Sequence, residues 1–581
     1  MQRLWESAAL LVGLAAAVQG LLVRHDHSFQ PDYILRVGAE NYTEACMDRY
    51  SVLVNGSLPG PELRLREGET SWIRVYNDMS DANTTIHWHG LTAYTAPFSD
   101  GAPAASQWPI PPGHFFDYEV RPEPGTAGTY FYHSHVGFQA ITAKGPLIVE
   151  SCDPPLYDYD EERTILISDY FSKTDAEIEA GLTSSNFTWS GETDAVLVNG
   201  HSRPATNATT GSCELAAIDI EAGKTYRLRF IGGTALSFVS LAIDSHEVSV
   251  IEADGHDTKP LKTDFLQIAS GQRYSVLLKA KSEAELAETK TRQFYIQITT
   301  LVRPEVLTNF AVLSYISDTK PDLTTVPSPP PLPVAETVQG WLDYELEPAI
   351  PDNDFPTLDE VTRRIVIDVH QNVSDHTIWL QNGYDWVQSF PKSPYLVDIY
   401  THKLNVDETY HRALTRGNGF DNITRTFPAK IGEVLEIVWQ NRGTVSNGGL
   451  DAHPFHAHGR HYYDIGGGDG LYNATANEER LKGTYPIQRD TSVLYRYRKE
   501  TEVLAPSGWR AWRIRVENAG VWMYHCHVLQ HMVMGMQTVF TFGDREDVIE
   551  QSGPVNEGYL VYGGSAYGNG ERDPVVQHFK D

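Results

Sequence analysis

His525-Cys526-His527-Val528-Leu529-Gln530-His531, followed by Met536, carries more information than any other part of this chain. A thiolate, several imidazoles and a thioether so close together form a soft, polarisable donor set. A trigonal His₂Cys site with a weak axial Met is the geometry of blue-copper electron-transfer centres. Side chains alternate between faces along a strand, so His525 and His527 project to one side and Cys526 to the other. One strand would then hold a blue copper through Cys526 and other metal ions through the two histidines behind it, forming a covalent wire between two centres.

Working outward, three more clusters share the same spacing: His87-Trp88-His89, His133-Ser134-His135 and His453-Pro454-Phe455-His456-Ala457-His458. The pairs His87/His89, His133/His135, His456/His458 and His525/His527 stand at i, i+2, which on strands puts two imidazoles on one face. With His531, ten of the chain's 22 histidines lie in these clusters. A lone histidine is usually structural. Four such pairs, one bracketing a cysteine, point to several metal ions.

The 581 residues carry a net charge of −30, which argues against nucleic acid or an anionic membrane as partner. Met1 to Gly20 reads as a secretory signal peptide, with Arg3 ahead of an apolar run from Ala8 to Val18 that is too short to span a bilayer. Asn-x-Ser/Thr sequons at Asn41, Asn55, Asn83, Asn186, Asn207, Asn372, Asn422 and Asn473 support a secreted, N-glycosylated protein. If Cys526 binds metal, Cys46, Cys152 and Cys213 remain, and one disulfide plus one leftover thiol is the simplest arithmetic.

The 46 glycines and 33 prolines punctuate short β-branched and aromatic runs such as Ser71–Val75, Thr164–Ile167 and Arg364–Ile367, the pattern of sandwiches or barrels. Ser282 to Thr289 is a short helical candidate. A loose echo links Leu63–Glu69, Ile218–Lys224 and Ala429–Glu433, each followed by a W/Y-x-I/L-x-V/F/W strand, and suggests three related β-domains. The reading is all-β, with three cupredoxin-like Greek-key β-barrel domains. Its divisions are a signal peptide over 1–20, domain 1 over 21–155, domain 2 over 156–325, a linker over 326–355 built around Pro327 to Pro333, domain 3 over 356–550, and a Gly-rich tail over 551–581. The tail is either a mobile extension or a strap across the domains.

The segments H-W-H-G, H-S-H, H-P-x-H-x-H-G and H-C-H-x-x-x-H-x-x-x-x-M occur in that order, and in this the chain resembles the multicopper oxidases: laccases, ascorbate oxidases, ferroxidases and bilirubin oxidases. The form His453-Pro454-Phe455-His456-Ala457-His458-Gly459, followed by His461-Tyr462-Tyr463-Asp464-Ile465-Gly466, looks most like the fungal ascorbate-oxidase-like branch. The resemblance implies four coppers. Type 1 would be held by His453, Cys526 and His531 with Met536 axial, and type 2 by His87 and His456. The type 3 pair would be held by His89, His133, His135, His458, His525 and His527. Met532 and Met534 compete for the axial role, and the spacing favours Met536. A thioether there stabilises the oxidised ion and implies a moderate potential. Ligands from both ends of the chain place the three-metal site between domains 1 and 3, with domain 2 a spacer and a wall of the substrate pocket.

Reducing O₂ to water consumes protons. Asp100, in Phe98-Ser99-Asp100-Gly101, matches the family's relay acid, against the reading of a turn Asp beside Gly. A second acid that relatives carry inside H-C-H-x-x-x-H is replaced here by Val528, Leu529 and Gln530, so that relay is absent or comes from elsewhere. Asp254 matches the acid that many laccases place at the substrate pocket as proton acceptor. His256 could serve instead, and an Asp-Gly turn is the other reading. The family also implies a Cys46–Cys213 disulfide and leaves Cys152 a free, buried thiol.

These readings together imply a copper oxidoreductase that takes electrons from a small aromatic or enediol reductant and passes them to dioxygen. Phenols are the leading donors, in a role such as fungal pigment or secondary-metabolite coupling; ascorbate and then Fe(II) follow. The partners expected are these small molecules and O₂, with no nucleic acid and no membrane, on a monomer or weak homo-oligomer. A catalytically silent copper-binding protein is the non-enzyme alternative, and such relatives lack ligands that this chain keeps.

Overall fold

The computed structural model describes residues 21–203, 213–318, 320–325, 332, 345–373, 376–416, 418–443, 452–497, 504–552 and 557–579. The signal peptide, Asn207 and nearly all of the Pro327–Pro333 run lie outside them.

The loose sequence echo is a threefold structural repeat. In each unit the first strand pairs parallel with the strand that follows the echo. Tyr33–Glu44 pairs with Ser71–Asn77, Glu161–Tyr170 with Thr225–Gly232, and Arg363–Val373 with Val434–Asn441. The echo itself is a short strand that crosses to the second sheet and pairs parallel with that sheet's final strand. Leu63–Arg66 joins Lys144–Glu150, Ala217–Ile220 joins Thr308–Tyr315, and Thr426–Ala429 joins Gln537–Phe542. A strand cannot reach a parallel partner through a tight hairpin. Each chain segment must therefore cross the barrel end, which produces the Greek-key path, and the remaining strands pair antiparallel within two-sheet barrels.

Alternating burial along Leu63–Arg66 (buried, exposed, buried, exposed) shows the one-sided strand pattern. Strands near the barrel seams, such as Gly520–Cys526 and Gly128–Ser134, are buried on both faces. One continuous apolar core runs from the first barrel, through Trp88, Tyr118 and Leu147, into Val521, Met523 and Val539 of the third. Each fully buried aliphatic or aromatic side chain contributes about 1.5–3 kcal/mol, so the seam that places the first and third barrels together is held by the same force as the barrels themselves.

The helix Glu283–Thr289 forms where expected, because Ser282 Oγ accepts from Glu285 N (3.3 Å) while Glu285 accepts from Ser282 N (2.7 Å), a reciprocal cap. The Cys46–Cys213 disulfide is present, with Cα atoms 5.3 Å apart, and ties the first barrel to the second. Cys152 is free but exposed, not buried. It lies in the loop past the strand Lys144–Glu150, where its amide donates to Glu67 (3.0 Å). The tail is a strap: Tyr567–Asn569 extends a first-barrel sheet beside His114–Val120, and Val575–His578 pairs with Leu21–Arg24. Sequon residues Asn41, Asn55, Asn186, Asn372, Asn422 and Asn473 are exposed. Among the described residues, no helix is long and apolar enough to cross a membrane.

Candidate metal centres

The thiolate centre is built inside the third barrel. Across the strands Ala452–Ala457 and Gly520–Cys526, Phe455 pairs with Cys526 and His456 with His525. Residues three apart on a strand face opposite sides, so His453 falls on the Cys526 side and His456 on the His525 side. The short helix Leu529–Val533 turns His531 back to the same point. Cys526 Sγ lies 3.9 Å from His453 Nδ1 and 3.7 Å from His531 Nδ1, and the two nitrogens are 3.1 Å apart. Met536 is fully buried, and its carbonyl accepts from Cys526 N at 3.0 Å.

On the opposite face, eight histidines converge. His87 and His133 are cross-strand partners in the first barrel, as His456 and His525 are in the third. Three triads have their donor atoms within 4.8 Å of one another: His87/His456/His458, His89/His133/His527 and His135/His458/His525. Nε2 atoms face each other at 3.3 Å for His87–His456, His135–His525 and His458–His525, and at 3.4 Å for His133–His527.

The tautomers follow from the other ring nitrogen. Backbone carbonyls only accept, so Nδ1 must carry the proton where it meets one. It does so in His87 (Asp100 O, 2.6 Å), His133 (Ser134 O, 2.8 Å), His456 (Asp490 O, 3.0 Å) and His525 (Cys526 O, 3.0 Å). Nε2 of these rings is then a lone pair. Burial, reinforced for most of them by neighbouring imidazoles, holds His87, His133, His458, His525 and His527 well below the ordinary imidazole pKa, and brings His135 to about 4. Neutral rings with lone pairs aimed at one another repel unless a cation lies between them. The arrangement fits metal ions, and a closed carbonyl or carboxylate shell behind metal-binding imidazoles is what such sites use to fix ring orientation.

Comparison with known proteins agrees. Family models described as multicopper oxidase match residues 36–153, 161–318 and 391–546. The chain belongs to the multicopper oxidase family. It is 42% identical to "Laccase-like multicopper oxidase 1" of Thermothelomyces thermophilus over 99% of this chain and 96% of that one. It is 44% identical to "Multicopper oxidase aurL2" of Gibberella zeae over 99% of each. Among solved structures, Fet3p, described as a multicopper oxidase that functions in iron import, superposes with a TM-score of 0.71 at 23% identity, covering 91% of this chain and 93% of that one. Multicopper oxidases bind four coppers of types 1, 2 and 3, and the histidine and cysteine groups offer donors of the required kind.

Asp100 sits directly behind this multicopper oxidase's cluster. Its Oδ2 is 2.9 Å from His458 Nδ1, and Oδ1 is 3.5 Å from His87 Nδ1. Burial pushes its carboxyl well above the usual range. Gly101 has φ +80°, and a Cβ there would lie 1.9 Å from Ile86 O, so glycine is what lets the Asp100 loop press against the His87 strand. A cavity of about 10 Å³ touches Asp100, Ser99, Glu119 and Arg121, roughly the space of one water.

Asp254 is placed elsewhere. It is fully buried, accepting from Arg273 N (2.8 Å) and Arg489 Nε (2.7 Å), and is not among the residues lining the cavity beside His531. Its carboxyl is raised by burial, against the pull of the arginines. His256 is not at that cavity either. Its Nε2 meets His461 Nδ1 at 2.5 Å, and burial lowers it to about 3.

The cavity beside His531 measures about 360 Å³. Its walls include Phe187, Trp189, Phe238, Trp379 and Met534, and its charged members are Glu192 and Arg303, a bidentate pair at 2.6 and 2.7 Å. Sequence reading missed Glu192 and also Asp490. Asp490 accepts from Arg273 (2.7 and 2.6 Å) and contacts His89 Nε2 (3.2 Å). Neither lies in a metal-ligand spacing. Only the Arg-Asp-Thr run at 489–491 beside the histidine motifs could have flagged Asp490.

Proposed function

We propose that this chain is a secreted, glycosylated laccase-like oxidase that removes single electrons from phenolic or related aromatic donors and reduces dioxygen to water. In this reading His453, Cys526 and His531, with Met536 axial, hold type 1 copper, and His87 and His456 hold type 2. One type 3 ion is held by His89, His133 and His527 and the other by His135, His458 and His525. Bound copper supplies one-electron chemistry at the thiolate and the shared electrons for complete O₂ reduction at the histidines. The proposed divisions stand near residues 155 and 325, with a linker to 355 and a tail from 551.

The observation that carries the donor class is that His531 belongs both to the thiolate set and to the wall of an aromatic-lined cavity. An aromatic donor stacked there presents its π system to the ring that leads inward. Glu192 is the carboxylate that would accept the phenolic proton; an oxidised phenol is far more acidic than its parent, so a carboxylate already paired with Arg303 suffices. Because Arg303 and Glu192 are engaged with each other, the cavity offers ascorbate no uncommitted cation and Fe(II) no uncommitted anion among its described lining. At the cluster, Asp100 stands as the proton donor through His458 and the small water-sized cavity.

Oxygen uptake by copper-loaded protein with a phenol, ascorbate and Fe(II) side by side tests this. The phenol is expected to give the highest kcat/KM, and a higher value for ascorbate or Fe(II) overturns the donor assignment.

A further inference from the structure

The middle barrel contributes no residue to the donor triads, yet its turn Ala269-Ser270-Gly271-Gln272-Arg273 lies against one half of the histidine cluster. Ser270 Oγ is 2.8 Å from His527 Nδ1 and also donates to Thr234 O. A hydroxyl that spends its own proton on a carbonyl can only accept from the ring, so His527 Nδ1 is the protonated nitrogen and Nε2 the free one. Gly271 has φ +89°, and a Cβ there would come within 3.0 Å of His89 Cε1 and 3.1 Å of Thr491 Oγ1, so glycine lets this backbone approach the ligand ring. Arg273 is fully buried and grips both oxygens of Asp490.

Asp490 then faces His89 in a way that differs from the other rings. His89 Nε2 meets Asp490 Oδ1 and Thr491 Oγ1, each at 3.2 Å. His89 Nδ1 is buried with no hydrogen-bond partner among the described residues. Asp490 Oδ1 is an acceptor that already receives Thr491 Oγ1–H at 2.8 Å and Arg273 Nη1–H at 2.7 Å, and Thr491 Oγ1 has spent its own proton there, so both contacts of His89 Nε2 require the proton on that nitrogen. The free lone pair of His89 is on Nδ1, opposite to the rings whose Nδ1 meets a carbonyl.

We infer that Arg273 and Ser270 are positioning residues for oxygen reduction: the middle barrel sets, from behind, the tautomers of His89 (through Asp490) and His527. This rests on the ligand assignment above. Two of the three histidines of one type 3 half-site are thus oriented by a domain that binds no copper. Outer partners of this kind are worth about 10–100-fold in metal affinity or activity. Lysine cannot replace the planar fork that spans both oxygens of Asp490.

The test compares copper-loaded wild type with Arg273→Gln, Arg273→Lys and Ser270→Ala. It reads copper per chain, the blue thiolate absorption, the paramagnetic resonance of the cluster, and turnover of a phenol. The blue absorption is expected to stay, while Arg273→Gln alters the cluster resonance and loses about 10–100-fold in cluster copper affinity or turnover. Arg273→Lys should recover part of this, and Ser270→Ala should shift the resonance in the same direction by less. A purely structural role would lower the melting temperature without moving the resonance of the folded fraction. If Arg273→Gln does not fold, Ser270→Ala decides. Variants with wild-type copper content and resonance overturn the inference alone; wild type that holds no cluster copper sinks the functional reading and the inference with it.

Discussion

The thiolate centre draws His453, Cys526 and His531 from a single barrel, on paired strands and the helix that follows one of them. The histidine cluster takes His87, His89, His133 and His135 from the first barrel and His456, His458, His525 and His527 from the third, with Ser270 and Arg273 of the second behind them. The first is finished when one domain folds, whereas the second exists only once the first and third barrels dock, with the middle barrel packed behind it. A local site can be tuned by one side chain at a time. A site made at a seam inherits the stability of the seam, and its supporting residues come from places that no motif around the ligands reveals.

The largest effect should come from cutting the link between the two. Cys526→Ser removes the thiolate while leaving His525 and His527 in place. Blue absorption should vanish and turnover of every donor should fall to that of copper-free protein, while the cluster still takes up copper. Measurable phenol turnover in a colourless variant would mean that electrons reach the cluster without Cys526. Next is Asp100→Asn, which should retain the blue thiolate and its reduction by donor but lose about 100-fold or more in steady-state O₂ consumption. Because burial raises the Asp100 carboxyl, the proton-bearing form is the one lost as pH rises through that raised value. Wild-type turnover should decline over that window, and the variant should be flat there.

A smaller effect appears in the stability of the copper-free chain. Burial lowers His87, His89, His133, His135, His458, His525, His527 and His531 below their ordinary value. Below about pH 6.5 the unfolded chain binds protons that the folded copper-free chain refuses, so stability rises with pH up to that value and flattens above it. Asp100, Asp175 and Asp254 have the opposite sign, since a buried carboxyl held above its ordinary value costs stability as pH climbs, but they are fewer than these eight. Calorimetry of copper-free protein should show the melting temperature falling steeply from pH 7 to 5. The slope approaches about 1.4 kcal/mol per pH for each histidine that is protonated in the unfolded chain and neutral in the folded one. A flat profile would mean that the seam opens and hydrates its rings without copper.

What the sequence disclosed divides along the same line. His525-Cys526-His527, the three other H-x-H pairs and the echo at Leu63, Ile218 and Ala429 were legible because strand period converts spacing directly into facing side chains. The short helix after Ser282 was legible as a helical candidate, and the structure adds the reciprocal cap between Ser282 and Glu285 that starts it. Asp490, Arg273 and Glu192 were not, because their roles depend on which loop of which barrel packs where, and burial alone distinguishes Asp490 from any other Arg-Asp pair. Asp254 shows the reverse hazard: its neighbourhood matched a pocket acid, but the strand Val248–Ala253 carries it inward between Arg273 and Arg489. The Gly-rich tail looked the same as extension or strap until Tyr567–Asn569 and Val575–His578 found sheet edges.

The finest test falls on the local centre. Met532 and Met534 both border the solvent-facing cavities around the helix Leu529–Val533, whereas Met536 is fully buried and its own backbone carbonyl binds the Cys526 amide. That backbone bond brings residue 536 beside the thiolate whatever its side chain, so Met536→Leu should fold and load copper normally. Removing a weak thioether donor withdraws stabilisation from the oxidised ion, so the potential of the thiolate centre should rise while the cluster's resonance stays unchanged. Turnover should change only modestly, because electron entry slows or quickens while the protons and geometry at the seam do not. A redox titration of Met536→Leu that superimposes on wild type would transfer the axial role to Met532 or Met534. A shift in the cluster as well would show that the two centres are less separable than their construction implies.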